Sequence, residues 1–224
     1  MTISIGEWSV HVRYVDDFVL VVDKPHGLAS QSTQRRGQLS LYDGLRAHYP
    51  YVGLHHRLDT PASGLMLFTL NQQANAPVAE AFQTQNIQRR YRLVVAGDPG
   101  PSGEWVSPIK GKKAKTKYRR LATHGGMSAL MATLETGRTH QIRIHASESG
   151  FPLLGDRRYG GAAARLWPRL ALHASDLLFQ HPKTGEPTRV SSPVPQDLAE
   201  LWSRLGLRCS PEIAAEGTSP DRQS

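Results

Sequence analysis

The stretch His56-Arg57-Leu58-Asp59-Thr60-Pro61-Ala62-Ser63-Gly64, followed at once by Leu65-Met66-Leu67-Phe68, decides how the chain is organised. An apolar run entered through a Pro-Ala-Ser-Gly breaker predicts a buried strand, so the acid and arginine before it ride on a loop delivered by the core. Loops held by rigid strands commonly carry reactive groups. Two readings of Asp59 stand at this point. It is either a reactive carboxylate or half of an Arg57–Asp59 ion pair on a surface turn.

Working outward toward the N-terminus, Phe18 to Val22 predicts a buried strand closed by Asp23-Lys24-Pro25 and Gly27 after a short polar start. A polar loop from Gln31 to Gln38 carries Arg35 and Arg36. A helix is expected from Ser40 to His48, with Leu41, Leu45 and His48 on one face and Pro50 ending it. Toward the C-terminus, Asn75 to Gln85 predicts a helix capped by Asn75, tolerating Pro77 in its first turn and turning Val78, Ala81 and Phe82 to the core. Arg89 to Gly97 alternates as a strand with Tyr91, Leu93 and Val95 on one face, and Asp98-Pro99-Gly100-Pro101 is a turn.

Ser128 to Glu135 is a further strand. Arg138 to His145 fits either period, and the stop at Gly150 favours a helix. Strands are expected from Leu170 to Phe179 and near Thr188-Arg189-Val190, around a turn at His181 to Gly185. Leu198, Leu201, Trp202 and Leu205 form a helical stripe. Many strands and few helices predict an α+β fold on a mixed, mainly antiparallel sheet with flanking helices. Residues 1–207 are expected to form a single domain, and residues 208–224 a disordered polar tail.

The 27 Lys and Arg against 19 Asp and Glu give a net charge of +8, which points to a polyanionic partner. The charge concentrates between Lys110 and Arg120, where seven of eleven residues are cationic: Lys110, Lys112, Lys113, Lys115, Lys117, Arg119 and Arg120. No acid lies within the run, so a phosphate-contacting surface is preferred to a merely solvated hairpin. No apolar run approaches a membrane span and no signal-peptide pattern opens the chain, so a cytoplasmic protein is expected. Cys209 is the single cysteine. The ten histidines fall in no ligand frame, so no metal is expected, and no phosphate-cradling glycine loop is present. Ser63 lacks the Gly-x-Ser-x-Gly frame of a hydrolase nucleophile.

A framed carboxylate, a tyrosine in a basic strand and two arginines around a Thr-His-Gln core suit chemistry on a nucleotide taken out of its stack. The sequence resembles the RluA family of pseudouridine synthases. The resemblance lies in His56-Arg57-Leu58-Asp59 with Ser63-Gly64, in Tyr91-Arg92-Leu93-Val94 ending at Gly97, and in Gly137-Arg138-Thr139-His140-Gln141-Ile142-Arg143. Further matches are Val22-Asp23-Lys24-Pro25 with Gly27-Leu28, Gly155-Asp156 with Tyr159-Gly160, and Leu172-His173-Ala174 with His181-Pro182. They follow the family's order from about Val15 to Pro195.

The resemblance implies a central catalytic cleft and conversion of uridine to pseudouridine in ribosomal or transfer RNA, without cofactor or metal. It implies that Asp59 is the essential acid, attacking the ribose or taking a proton from it, and that Arg143 pairs with it. It also implies that Tyr91 packs against the base and serves the final C5 deprotonation, and that Arg57 fills the space a flipped base leaves. His56, Arg138, His140 and Gln141 are expected to contact RNA along with the basic run. Family members often carry a separate N-terminal RNA-binding module; without one, target choice is expected to rest on the catalytic domain, acting as a monomer with no protein partner. Ala62 stands where the family commonly has Thr, and Pro61 stiffens the same loop. The competing reading is a catalytically silent RNA-binding or RNA-chaperone protein, which would need no intact acid; a metal-dependent hydrolase is disfavoured by the missing ligand frame.

Overall fold

The computed structural model of the protein describes residues 1–32 and 39–206. Arg35, Arg36, Cys209 and the tail expected from residue 208 lie outside the described residues. Along the described chain run β1 (Thr2–Ile5), β2 (Trp8–Val15), β3 (Val19–Lys24), α1 (Leu41–His48), β4 (Gly53–Leu54), β5 (Ser63–Thr69), α2 (Asn75–Gln83) and β6 (Gln88–Ala96). They are followed by β7 (Ser102–Trp105), β8 (Thr116–His124), β9 (Met127–Leu134), α3 (Gln141–Glu148), β10 (Leu172–Gln180), β11 (Pro187–Ser191) and α4 (Gln196–Arg204).

All seven residues of β5 are buried, because helices cover both faces of the sheet there. Successive side chains of a strand point to opposite faces. Leu65 and Leu67 therefore pack with Val19, Val21, Leu177 and Val78 of α2, while Met66 and Phe68 join Leu20, Val22, Leu93 and the α1 residues Leu41 and Leu45. The stripe on α4 lays Leu198, Leu201 and Trp202 over Val94 and Ala129.

The strands follow the order β1-β2-β3-β5-β10-β6-β9-β8-β7, with β11 also on β10 and β4 also on β5. Their pairings are antiparallel except that of β5 with β10, which makes the sheet mixed as expected. One edge of β5 belongs to β3 throughout. The other edge is divided, with β10 taking Ser63 and Gly64 and β4 taking Phe68 and Thr69. The chain leaves β4, runs through His55 to Ala62, and re-enters at Ser63, so the loop emerges from the middle of the sheet.

Several local expectations change. The polar start is a β1–β2 hairpin that buries Ile3, Ile5 and Val10. Asn75 does not cap α2; its amide is engaged by the Thr69 hydroxyl and Tyr51, and the cap position is Ala74. His48 is exposed rather than part of the buried face of α1.

Gly64 meets a steric demand at the divided edge. Its φ is +116°, and a Cβ there would stand 2.3 Å from the Ala174 carbonyl oxygen and 2.4 Å from its nitrogen. Both contacts are with backbone and cannot relax cheaply. Gly64→Ala is expected to destabilise the protein by roughly 3 kcal/mol, measured by urea unfolding; an unshifted midpoint would show that β5 and β10 tolerate a side chain between them.

Candidate active site

Helix α3 begins immediately after His140, whose left-handed backbone (φ 58°) turns the chain sharply into the helix. One turn in, Arg143 is almost wholly buried. Its Nε and Nη2 donate side by side to Asp156 Oδ2 and Oδ1 at 2.8 and 2.7 Å, and its Nη1 donates to Asp59 Oδ2 at 2.8 Å. Burial works against the charge on Arg143, but the hydrogen bonds it donates to Asp156 and Asp59 prevail and raise its pKa. Burial would likewise raise the Asp156 pKa; Arg143 and the amides of Arg158 and Tyr159 overcome it and hold the carboxyl below its usual range. Bidentate pairing fixes the guanidinium plane, so the remaining donor points at Asp59 in one direction.

On its other side Asp59 Oδ1 lies 3.5 Å from His140 Nε2, while His140 Nδ1 is 2.9 Å from the Tyr159 hydroxyl. Burial lowers the His140 pKa; Asp59 pulls it back and Arg143 pushes it further down, so the ring is neutral at neutral pH. Arg57 does not pair with Asp59. It is exposed, with Nη2 3.4 Å from the Thr139 hydroxyl, and the reading of the loop as a surface Arg–Asp turn is set aside.

The loop is fastened from beneath by groups for which the sequence alone indicated no role at the site. Lys24 is fully buried and its Nζ donates to the carbonyls of Pro25 (2.9 Å), Leu28 (2.8 Å) and Thr60 (3.3 Å). Burial pushes its pKa down to about 7, with Asp59 pulling the other way. Three carbonyls match the three N–H donors of an ammonium, which favours the charged form. The Ser30 hydroxyl bridges both backbone groups of Leu58, and the Ala62 amide closes the turn onto the Asp59 carbonyl at 3.0 Å. That turn closes through backbone with Pro61 and Ala62 in place.

Asp59 opens onto a cleft of about 700 Å³, whose lining includes Arg57, Tyr91, Arg138, His140, Ile142 and Leu172. Tyr91 is 6% exposed and burial raises its pKa, so it presents a neutral phenol. His56 lines the cleft but serves the framework. Its Nε2 accepts the Leu67 amide at 2.8 Å and its ring rests on Phe82 with centroids 4.7 Å apart. Burial, reinforced by Arg89, pushes its pKa down to about 3, so the proton of this neutral ring is on Nδ1 and it brings no charge to RNA.

Gln141 is spent internally as well. Its Oε1 accepts from Thr136 and the Arg138 amide, and its Nε2 donates to Thr116 and the Lys115 carbonyl. It fixes the approach to α3 instead of offering a free amide to RNA. The basic run is partly neutralised by acids on β7 and just past the ends of β6 and β9. Lys115 meets Glu104 at 2.8 Å, Lys117 meets Glu135, and Arg120 meets Asp98. Lys110, Lys112 and Lys113 are exposed and make no ion pair among the described residues, and Arg119 is exposed too. Arg138 stands at the cleft mouth, its Nε on the Lys113 carbonyl at 3.1 Å.

A carboxylate in a set orientation, an aromatic ring beside it and a cationic rim suit an extruded base attached to an anionic backbone. Among the described residues no group of three or more His, Cys, Asp or Glu could hold a metal, and no helix is long and apolar enough to cross a membrane.

Residues 18–148 match the family described as RNA pseudouridylate synthase. Ribosomal large subunit pseudouridine synthase D of Xanthomonas campestris is 36% identical over 229 residues, covering 88% of this chain and 69% of that protein. The protein of the same name from Pseudomonas aeruginosa is 33% identical, covering 89% and 74%. Among solved structures, human RNA pseudouridylate synthase domain containing 1 superposes with a TM-score of 0.70 at 25% identity, covering 89% of this chain and 95% of that one. Human RNA pseudouridylate synthase domain containing 4 gives 0.73 at 22% identity, with 88% and 94% covered, and shares the fold.

Two histidines, His173 buried and His56 half-buried, set a pH dependence of stability. Burial lowers His56 from 6.5 to about 3 and His173 from 6.5 to about 4. Below pH 6.5 the unfolded chain takes up protons at these rings that the folded chain refuses, so their contribution is complete above 6.5 and is lost as the pH falls toward the folded values. Urea unfolding from about pH 7 to about pH 4.5 should give a falling free energy whose slope reaches at least about two protons, because burial also lowers His26, His55 and His140. His173→Asn should remove about one of them; a flat profile would show that the rings titrate normally in the fold.

Proposed function

The chain belongs to the RNA pseudouridylate synthase family and is an RNA pseudouridine synthase, an isomerase; from that premise we propose that it isomerises uridines in ribosomal RNA, with transfer RNA as the second substrate class, and that Asp59 is its reacting acid. The observation that carries the assignment of Asp59 is its bond to Arg143 at the wall of the cleft that Tyr91 also lines. The printed names of the Xanthomonas and Pseudomonas relatives, both large-subunit ribosomal enzymes, support ribosomal RNA as the first choice.

In this reading the uridine is flipped into the cleft and Arg57, exposed at its rim, fills the space the base leaves. The Asp59 carboxylate acts on the ribose as the C1′–N1 bond breaks. The uracil turns, C1′ bonds to C5, C5 gives up its proton and N1 ends with one, so atoms and electrons balance within the RNA. Tyr91 packs against the base. Because burial keeps its phenol protonated, it can take the C5 proton only after passing its own to another group, and the Asp59 carboxylate faces the same cleft. Arg138, Lys110, Lys112, Lys113 and Arg119 supply the outer phosphate contacts, and His140 holds Asp59 as a neutral partner. The enzyme works as a cytoplasmic monomer, residues 1–207 acting as one catalytic domain.

RNA tritiated at uracil C5 should release tritium to water when ribosomal RNA lacking the modification is the substrate. Release from neither ribosomal nor transfer RNA would defeat the substrate assignment. Asp59→Asn should lower the single-turnover rate by about 10⁴-fold while RNA affinity stays within several-fold; a purified variant that still turns over at a substantial rate would remove Asp59 from the chemistry.

A further inference from the structure

The lining of the same cleft also includes Phe82, Gln83, Gln85, Arg89 and Gly137, which the isomerisation at Asp59 leaves unused. Arg89 precedes Tyr91 by two positions on β6. Both side chains therefore leave one face of the strand, with their Cα atoms about 7 Å apart. A base against Tyr91 would set its own sugar-phosphate backbone within reach of Arg89.

Arg89 is held for such a contact. It is 9% exposed, its guanidinium carbon stands 5.6 Å over the centroid of Phe82, and a Cβ on Gly137 would lie 2.7 Å from its Nη1. The guanidinium is thus slotted between an aromatic ring and bare backbone. Other buried arginines bring their own carboxylates: Arg143 has Asp156 and Asp59, and Arg169 has Asp197. Arg89 has no ion pair among the described residues, and its buried Nε has no hydrogen-bond partner.

A buried cation without a counter-charge is costly, and a ring at this distance offsets only part of that cost. An anion brought into the cleft by the substrate would compensate it. A uracil carbonyl is neutral and would leave the charge standing. A phosphate brings the charge and acceptors that fit the guanidinium fork.

We propose that Arg89 binds an RNA phosphate inside the cleft, the one adjacent to the uridine being isomerised. It is a substrate-binding residue that sets how deeply the flipped nucleotide enters, with Phe82 and Gly137 fixing its plane. This rests on the reading that RNA is the substrate and that its uridine packs against Tyr91.

The test uses synthetic RNA around the uridine mapped by tritium release, made entirely with phosphodiesters and as a series with one neutral methylphosphonate each. With the unaltered enzyme, one linkage next to the target should lower kcat/KM by about ten-fold or more, and all others should act weakly. Arg89→Gln should show a similar loss, no further loss from that one linkage, and a salt slope smaller by about 0.7. Arg89→Lys, which keeps the charge but not the fork, should retain the slope. If no linkage beside the target matters by more than about two-fold, the proposal is overturned, and this arm needs no variant to fold. Additive losses in Arg89→Gln at every linkage would overturn it too. A substrate reading that fails is seen separately, as no tritium released by the unaltered enzyme.

Discussion

Arg143 holds two carboxylates that the chain brings from distant places, Asp156 through a two-pronged contact and Asp59 through its third nitrogen. A buried guanidinium between two acids has little freedom, since breaking either contact would strand a charge away from water. Asp59 can be oriented without being covered for the same reason. Its anchor approaches from the protein side, and the carboxylate keeps a face on the cleft. His140, uncharged and 3.5 Å away, limits the carboxylate on the remaining side without adding a second cation.

The sheet makes that arrangement possible by dividing one edge of β5 between β4 and β10. A loop starting from the division has rigid strands on both sides, and Lys24, Ser30 and the Ala62 amide tie its backbone down. Gly64 lets β10 come close enough to complete the frame. Core packing, backbone tethering and the ion triad therefore act on the same few residues. Tyr91 and Arg89 belong to this frame too, since β6 pairs directly with β10.

Much of this was legible in the sequence where the signal was local. The apolar run after Gly64 announced β5, alternation around Tyr91 announced β6, and Gly150 correctly favoured a helix for Gln141 to Glu148. What depended on distant partners was not legible. Glu104 and Glu135 neutralise Lys115 and Lys117 across strands, although no acid lies within the basic run itself. Gln141 and His56 look like RNA contacts by residue type, yet their polar atoms are taken up by the framework. The β1–β2 hairpin was hidden by its exposed outer face, and β4 by its length of two residues. Arg89, adjacent to another arginine, gave no hint that it would be buried without an ion pair among the described residues.

Asp156 acts through Arg143 to orient Asp59. Asp156→Asn keeps the shape of the side chain but removes its charge and weakens its grip on the guanidinium, leaving the cleft lining untouched. The decisive measurement is the single-turnover rate of this variant beside its RNA dissociation constant, after its folding is verified by thermal unfolding. A rate about 100-fold lower is expected, with affinity within several-fold of the parent. A folded variant reacting within about three-fold of the parent rate would contradict this role of Asp156.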